Sequence, residues 1–192
     1  GGAVMQISTD YVFPGDGSTP YREYDVMRPA SVYGKSKFMG EQAVRAACPA
    51  HWIVRTQWLF GQNGPNFVKT ILRLTNERDE ITVVNDQFGS PTFTADLAAS
   101  LVQLIQTPTY GTYHLTNQGS CSWYEFACAI VQAAGRTCKV LPIPTTELRR
   151  PAPRPLYSVL ENFAWTLEGR APLRPWQDAL REYLAQSGDI AG

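Results

Sequence analysis

Short apolar strands alternating with helical stretches predict an α/β protein built on a parallel sheet. Residues 3–7, 51–56 and 111–116 are short runs rich in apolar and β-favouring side chains. Between them, apolar residues recur at helical spacing, as at Leu97, Leu101, Leu104 and Ile105. Ser8-Thr9-Asp10 follows the first run, at the carboxyl edge where such sheets place their sites.

The elements follow in order. After the strand at 3–7, Pro14, Gly15, Gly17, Pro20 and Pro29 keep 11–29 a loop. Ser31 is the expected N-cap of a helix running to about Ala47 and stopped by Pro49. The strand at 51–56 leads past Trp58 and Phe60 into a Gly-Gln-Asn-Gly-Pro turn. Asn66 caps a helix whose Phe67, Val68, Ile71, Leu72 and Leu74 share one face. A short strand at 81–84, a turn-rich loop at 87–92 and a helix at 94–106 come next. Beyond the strand at 111–116, Ser122 caps a helix ending near Gly135. Pro142 confines the strand at 139–143 to an edge, because proline cannot donate to a central ladder. Residues 156–160 have mixed character, and a helix over 176–184 closes the series.

Composition excludes several functions. The chain has 192 residues, enough to bury one substantial core, and its 17 basic and 17 acidic residues cancel. No charged block points to nucleic acid or an anionic membrane. The longest apolar runs fall far short of the ~20 residues that span a bilayer, and no secretory leader is read. A cytoplasmic protein is expected. Cys48, Cys121, Cys128 and Cys138 lack C-x-x-C spacing, and His51 and His114 lie far apart. No metal site is therefore expected, and the cysteines read as reduced packing residues.

The chemistry centres on Tyr33 and Lys37, one helical turn apart on the same face. A free phenol has a pKa of about 10. A neighbouring ammonium lowers such a pKa, and a tyrosine so tuned can exchange a proton with a carbonyl oxygen or an alcohol. Tyr-x-x-x-Lys also occurs on ordinary amphipathic helices, so the surroundings decide. Thr9 ends a strand that converges on the same crevice; its hydroxyl suits either a carbonyl contact or a simple turn.

Ser8-Thr9-Asp10-Tyr11-Val12-Phe13, Pro20-Tyr21-x-Glu23 and Pro29-x-x-x-Tyr33-Gly34-x-Ser36-Lys37-x-x-Gly40-Glu41 follow one another in that order. Then come Arg55-Thr56-x-Trp58, Gly61, Asn66-Phe67-Val68, Asp86-Gln87-Phe88-Gly89-x-Pro91-Thr92 and Gly111-x-Tyr113-His114, with Arg154-Pro155 and Ser158-x-Leu160 near the end. This ordered series, covering almost the whole chain, resembles the extended short-chain dehydrogenase/reductases, and among them the dTDP-4-dehydrorhamnose reductase family. The resemblance implies part of a Rossmann-like parallel sheet, its C-terminal half, with a small C-terminal substrate-binding region. It implies a single module over 1–192, in which substrate-binding segments at about 61–92 and 139–184 are interleaved with the catalytic part. Thr9, Tyr33 and Lys37 would be catalytic and would also touch the cofactor, NADPH or NADH. Asp10, Tyr11 and Trp58 would surround the sugar. Asn66, Phe67 and Gln87 would approach the nucleotide, and Arg154 a phosphate. For Trp58 and Phe67 the alternative is core packing, and for Arg154 a surface salt bridge. The implied reaction is hydride delivery to C4 of a 4-keto-6-deoxyhexose nucleotide, with Tyr33 protonating the developing alkoxide.

One departure from the family is large. Neither Gly15-x-Gly17 nor Gly61-x-x-Gly64 links a first strand to a helix as a dinucleotide-binding turn must. In a complete relative roughly 100 residues would precede Ala3, at about 30 per βαβ unit. The strand at 3–7 would then carry an open edge, to be covered by a second copy or a partner chain. Some relatives hold magnesium through glutamates, but only Asp96 is acidic within 92–97. Two other readings stand beside the reductase: a sugar nucleotide epimerase of the same superfamily, and a non-catalytic partner-binding subunit. Tyr11, where a dehydratase would carry a further carboxylate, speaks against a dehydratase.

Overall fold

A computed structural model of the protein describes residues 2–148, 152 and 154–189. Residues 149–151 and 153, inside the predicted 139–184 segment, lie outside the described residues. In chain order the elements are β1 (Val4–Thr9), a 3-10 turn (Asp10–Val12), α1 (Val32–Ala47), β2 (His51–Thr56), β3 (Leu59–Phe60) and α2 (Phe67–Glu77). They continue with β4 (Glu80–Val84), β5 (Phe88–Gly89), β6 (Thr92–Phe93), α3 (Thr94–Ile105), β7 (Gly111–His114), β8 (Cys121–Ser122) and α4 (Trp123–Ala133). Last come β9 (Lys139–Ile143), α5 (Phe163–Leu167) and α6 (Trp176–Ser187).

The predicted helix starts are those observed. Ser31 Oγ accepts from Gly34 N at 3.0 Å, and Asn66 Oδ1 from Lys69 N at 3.1 Å. Ser122 and Glu125 form a reciprocal capping box. The parallel sheet runs β1-β2-β7, with Thr9 opposite Thr56 and Arg55 opposite His114. Among the described residues β1 pairs on one side only, and Val4 and Ile7 are exposed.

Alternation of side chains divides the two faces of this sheet. Met5, Trp52, Val54 and Tyr113 pack with Leu97 and Leu104 of α3 and Trp165 of α5. The other face receives α1. A second core joins α2, α4, β4 and α6 through Val68, Ile71, Phe126, Ile130, Ile81 and Tyr183.

Four very short strands depart from the sequence expectation, whereas β9 is the edge strand it predicts. β3 pairs with β6 and β5 with β8, each only two residues long, too short for any periodicity to reveal. β9 pairs with β4 in a separate two-stranded sheet, where Pro142 faces Val83 and needs no second neighbour.

Candidate active site

The site is built on α1, and a buried polar network sets where α1 lies. Glu41 and Arg55 are both 0% exposed. Arg55 grips the carboxylate with two bonds, Nε to Oε1 at 2.9 Å and Nη2 to Oε2 at 2.8 Å. Such a paired fork fixes orientation as well as distance. Ser8 Oγ adds a bond to Oε1 at 2.5 Å, tying the same carboxylate to β1. Arg55 Nη1 also donates to the Glu23 carbonyl at 3.2 Å and faces His114 Nε2 at 3.3 Å. His114 Nδ1 lies 3.1 Å from the carbonyls of Tyr21 and Glu161. The ring therefore donates from Nδ1 and accepts at Nε2, which is the neutral form. Burial, with Arg55 beside it, pushes its pKa down to about 3.

Gly34 brings the start of α1 against the 3-10 turn. A β-carbon there would overlap the Tyr11 carbonyl oxygen and crowd Pro29. With the helix seated this way, Lys37 Nζ donates to the Ile7 carbonyl at 2.6 Å. Tyr33 stands 54% exposed, its ring edge-to-face with Tyr11 at 5.6 Å.

Thr9, Asp10, Tyr11, Tyr33, Lys37, Trp58 and Arg154 come together around one cleft of ≈ 770 Å³. The β1–β2 register explains half of this convergence: Thr9 and Thr56 end adjacent strands at the same level. Thr9 Oγ1 donates to Asp10 Oδ1 at 2.8 Å and accepts from Tyr11 N at 3.3 Å. Asp10 is 3% exposed. Burial raises its pKa from 3.8 to about 6, partly opposed by the hydrogen bond from the Thr9 hydroxyl.

Trp58 forms the opposite wall. Its φ of 49° is the single positive φ outside glycine among the described residues, a costly conformation for a bulky side chain. Stacking on Trp123, 3.5 Å between centroids and 10° between planes, holds it. Gly89 closes against the ring from another side, where a β-carbon would overlap it. Trp123, Thr56 and Gln57 also line the cleft. Sequence reasoning did not single them out as site residues, since Trp123 falls in no motif and Gln57 only separates two motif positions.

Phe67 and Gln87 lie elsewhere, in a neighbouring hollow of ≈ 390 Å³ that shares Trp123 and Arg154 with the cleft. Phe67 also packs on Trp123 at 4.5 Å and Phe126 at 5.6 Å, so it belongs to the core as well. Gln87 Nε2 donates to Thr145 Oγ1 at 2.9 Å. Asn66 lines neither space: its Oδ1 caps α2, and its Nδ2 donates to the Gly61 carbonyl at 2.9 Å. Arg154 is exposed, and among the described residues no salt bridge holds it. No cluster of metal-ligating side chains occurs among the described residues.

The parallel α/β sheet with a Tyr/Lys helix and a threonine at the adjacent strand end is the arrangement that the resemblance to the extended short-chain dehydrogenase/reductases implies. The chain belongs to the RmlD substrate binding domain family, which it matches over residues 1–188. It is 47% identical over 186 residues to the spore coat polysaccharide biosynthesis protein SpsK of Bacillus subtilis (strain 168), covering 97% of this chain and 65% of that protein. It is 45% identical over 189 residues to a dTDP-4-dehydrorhamnose reductase of Streptomyces griseus, covering 95% of this chain and 62% of the relative. Among solved structures, a Bacillus anthracis dTDP-4-dehydrorhamnose reductase in complex with NADP superposes with a TM-score of 0.93 at 46% identity. That superposition covers 95% of this chain and 65% of the solved one. The chain thus spans less than two thirds of the length of each of these relatives.

Proposed function

We propose that this chain is the catalytic and substrate-binding part of an NADPH-dependent reductase that converts dTDP-4-dehydro-L-rhamnose to dTDP-L-rhamnose. The observation that carries the reading is the convergence of Thr9, Tyr33, Lys37 and Trp58 on one cleft. The names of the relatives favour reductase over epimerase.

A nicotinamide cofactor fits this cleft. Tyr33 presents an exposed ring to it, and Lys37 stands one turn behind. Tyr33 and Lys37 would hold the cofactor's ribose, with Thr9 at the reacting end. When bound, the cofactor supplies the hydride.

The chain's own residues manage the proton and the charge. Tyr33 Oη gives its proton to the C4 oxygen as negative charge develops there. The Lys37 ammonium, anchored on the Ile7 carbonyl, places a fixed positive charge beside the phenol. The Thr9 hydroxyl donates a hydrogen bond to Asp10 Oδ1, and the substrate oxygen competes for that same donor. Trp58 offers a flat apolar face for the deoxyhexose, and exposed Arg154 a fork of donors for a phosphate.

Among the described residues no helix is long and apolar enough to cross a membrane. A cytoplasmic site of action fits a reaction between two water-soluble nucleotides.

Loss of NADPH absorbance with dTDP-4-dehydro-L-rhamnose tests the reading. The chain is assayed alone and fused behind a relative's dinucleotide-binding half. Turnover that disappears in Tyr33→Phe is expected. No turnover in either form would sink the reductase reading; equal turnover in Tyr33→Phe would sink the proton-donor role.

A further inference from the structure

Three residues that line the cleft each keep a buried polar atom without a hydrogen-bond partner: Asp10 Oδ2, Thr56 Oγ1 and Gln57 Nε2. The residues are 3%, 4% and 3% exposed. The other unpaired buried atoms, such as Trp52 Nε1 and Arg136 Nε, do not belong to cleft residues. Buried polar atoms are nearly always paired, so a group of three in one cleft marks where something polar binds.

Gln57 is held for such a role. Its Oε1 accepts from Ser158 Oγ at 3.0 Å, and that hydroxyl also lies 3.3 Å from the Phe88 carbonyl. Turning the amide over would let Nε2 donate to Ser158 and leave Oε1 over, so one heteroatom is unfilled in either orientation. Gly89 presses on this residue as well, since a β-carbon there would stand 2.7 Å from Gln57 Oε1. Thr56, opposite Thr9 in the β1–β2 register, places its hydroxyl one residue before the amide and two before Trp58.

We infer that Gln57 and Thr56 form a specificity-determining pair that reads a ring hydroxyl of the bound sugar. A hydroxyl gives and accepts a hydrogen bond at once, so it satisfies an amide end and a threonine hydroxyl together. A keto oxygen only accepts, and a methyl group does neither. The pair selects the sugar beside the Trp58 face and takes no part in proton transfer. The inference rests on the sugar nucleotide reading above.

Calorimetric binding of dTDP-L-rhamnose and of dTDP separates the two claims. The wild-type chain is compared with Gln57→Met and Thr56→Val, both close in shape to the native residues, with thermal melts to confirm folding. Gln57→Met should cut the preference for the sugar nucleotide over dTDP about tenfold while leaving dTDP affinity unchanged. Thr56→Val should cut it less, and it carries the test alone if Gln57→Met does not fold. An undiminished preference in the folded variants overturns the pair's role, because the three atoms then serve only bound water. If wild type itself binds both ligands equally, the sugar reading fails, and this inference fails with it.

Discussion

Tyr33, Lys37, Glu41 and Arg45 follow at four-residue intervals along one stripe of α1, yet its two ends are opposite environments. At the front, Tyr33 is 54% exposed, and the cleft it borders keeps polar atoms unpaired. At the back, Glu41 is sealed from solvent, bonded to Ser8 and Arg55, with Arg45 3.4 Å away and itself tied to Thr112. Only Glu23 Oε2 in that rear network lacks a partner. The contrast separates two kinds of motif residue: Glu41, Arg55 and His114 hold the helix, and Tyr33, Lys37 and Thr9 face the cleft. A nearly saturated network holds its members in place, whereas the cleft keeps polar atoms unpaired on three of its lining residues.

Breaking the front should remove activity and spare the fold. Tyr33→Phe is expected to lower turnover about 10²–10⁴-fold, with an unchanged melting temperature because the phenol is exposed; steady-state assays and thermal melts read both. Breaking the back should do the reverse. Glu41→Gln leaves the fully buried Arg55 without its counter-charge, and a loss of about 3–5 kcal/mol in urea unfolding is expected. Adding Arg55→Met to Glu41→Leu should restore most of it, since a buried pair replaced by apolar groups is often neutral.

The two regions also titrate in opposite senses. Asp10 in the cleft is held at about 6 against its ordinary 3.8. Its contribution to stability is full below about pH 4 and lost as pH rises through 6. His114 in the rear network is held at about 3 against 6.5. Its contribution is full above about pH 6.5 and lost as pH falls toward 3. Between pH 4 and 6 the slopes oppose each other, each up to about 1.4 kcal/mol per pH unit. Asp10→Asn should therefore gain up to about 3 kcal/mol on wild type between pH 4 and 7, and its stability should fall more steeply on acidification. Urea midpoints across that range would show parallel curves if Asp10 does not titrate this way. Smallest is the joint between the regions: Gly34→Ala should cost about 1–3 kcal/mol by forcing α1 away from the Tyr11 carbonyl, seen as a lowered melting temperature.

Much of this was legible in the residues. Ser31, Asn66 and Ser122 announced their helices because a cap is a local hydrogen bond within three residues. The Tyr33/Lys37 spacing was legible for the same reason. Asn66 shows where local reading and site reading diverge: its place in a motif suggested a nucleotide contact, while its side chain caps α2 and holds Gly61. Trp123 and Gln57 were passed over because neither carries a local signal. Their place in the site comes from a stack across sixty-five positions and a bond from Ser158 across 101.

The sequence by itself determined the alternation of strands and helices, the caps, the family pattern and the presence of a phenol, an ammonium and a strand-end hydroxyl. Those properties depend on a few neighbouring residues. Only the tertiary structure decided that Thr56 stands beside Thr9, that Trp58 is held in a left-handed conformation by Trp123, and that Glu41 and Arg55 close a buried ion pair. Each depends on strand register or on packing between distant segments, whose geometry no local spacing records.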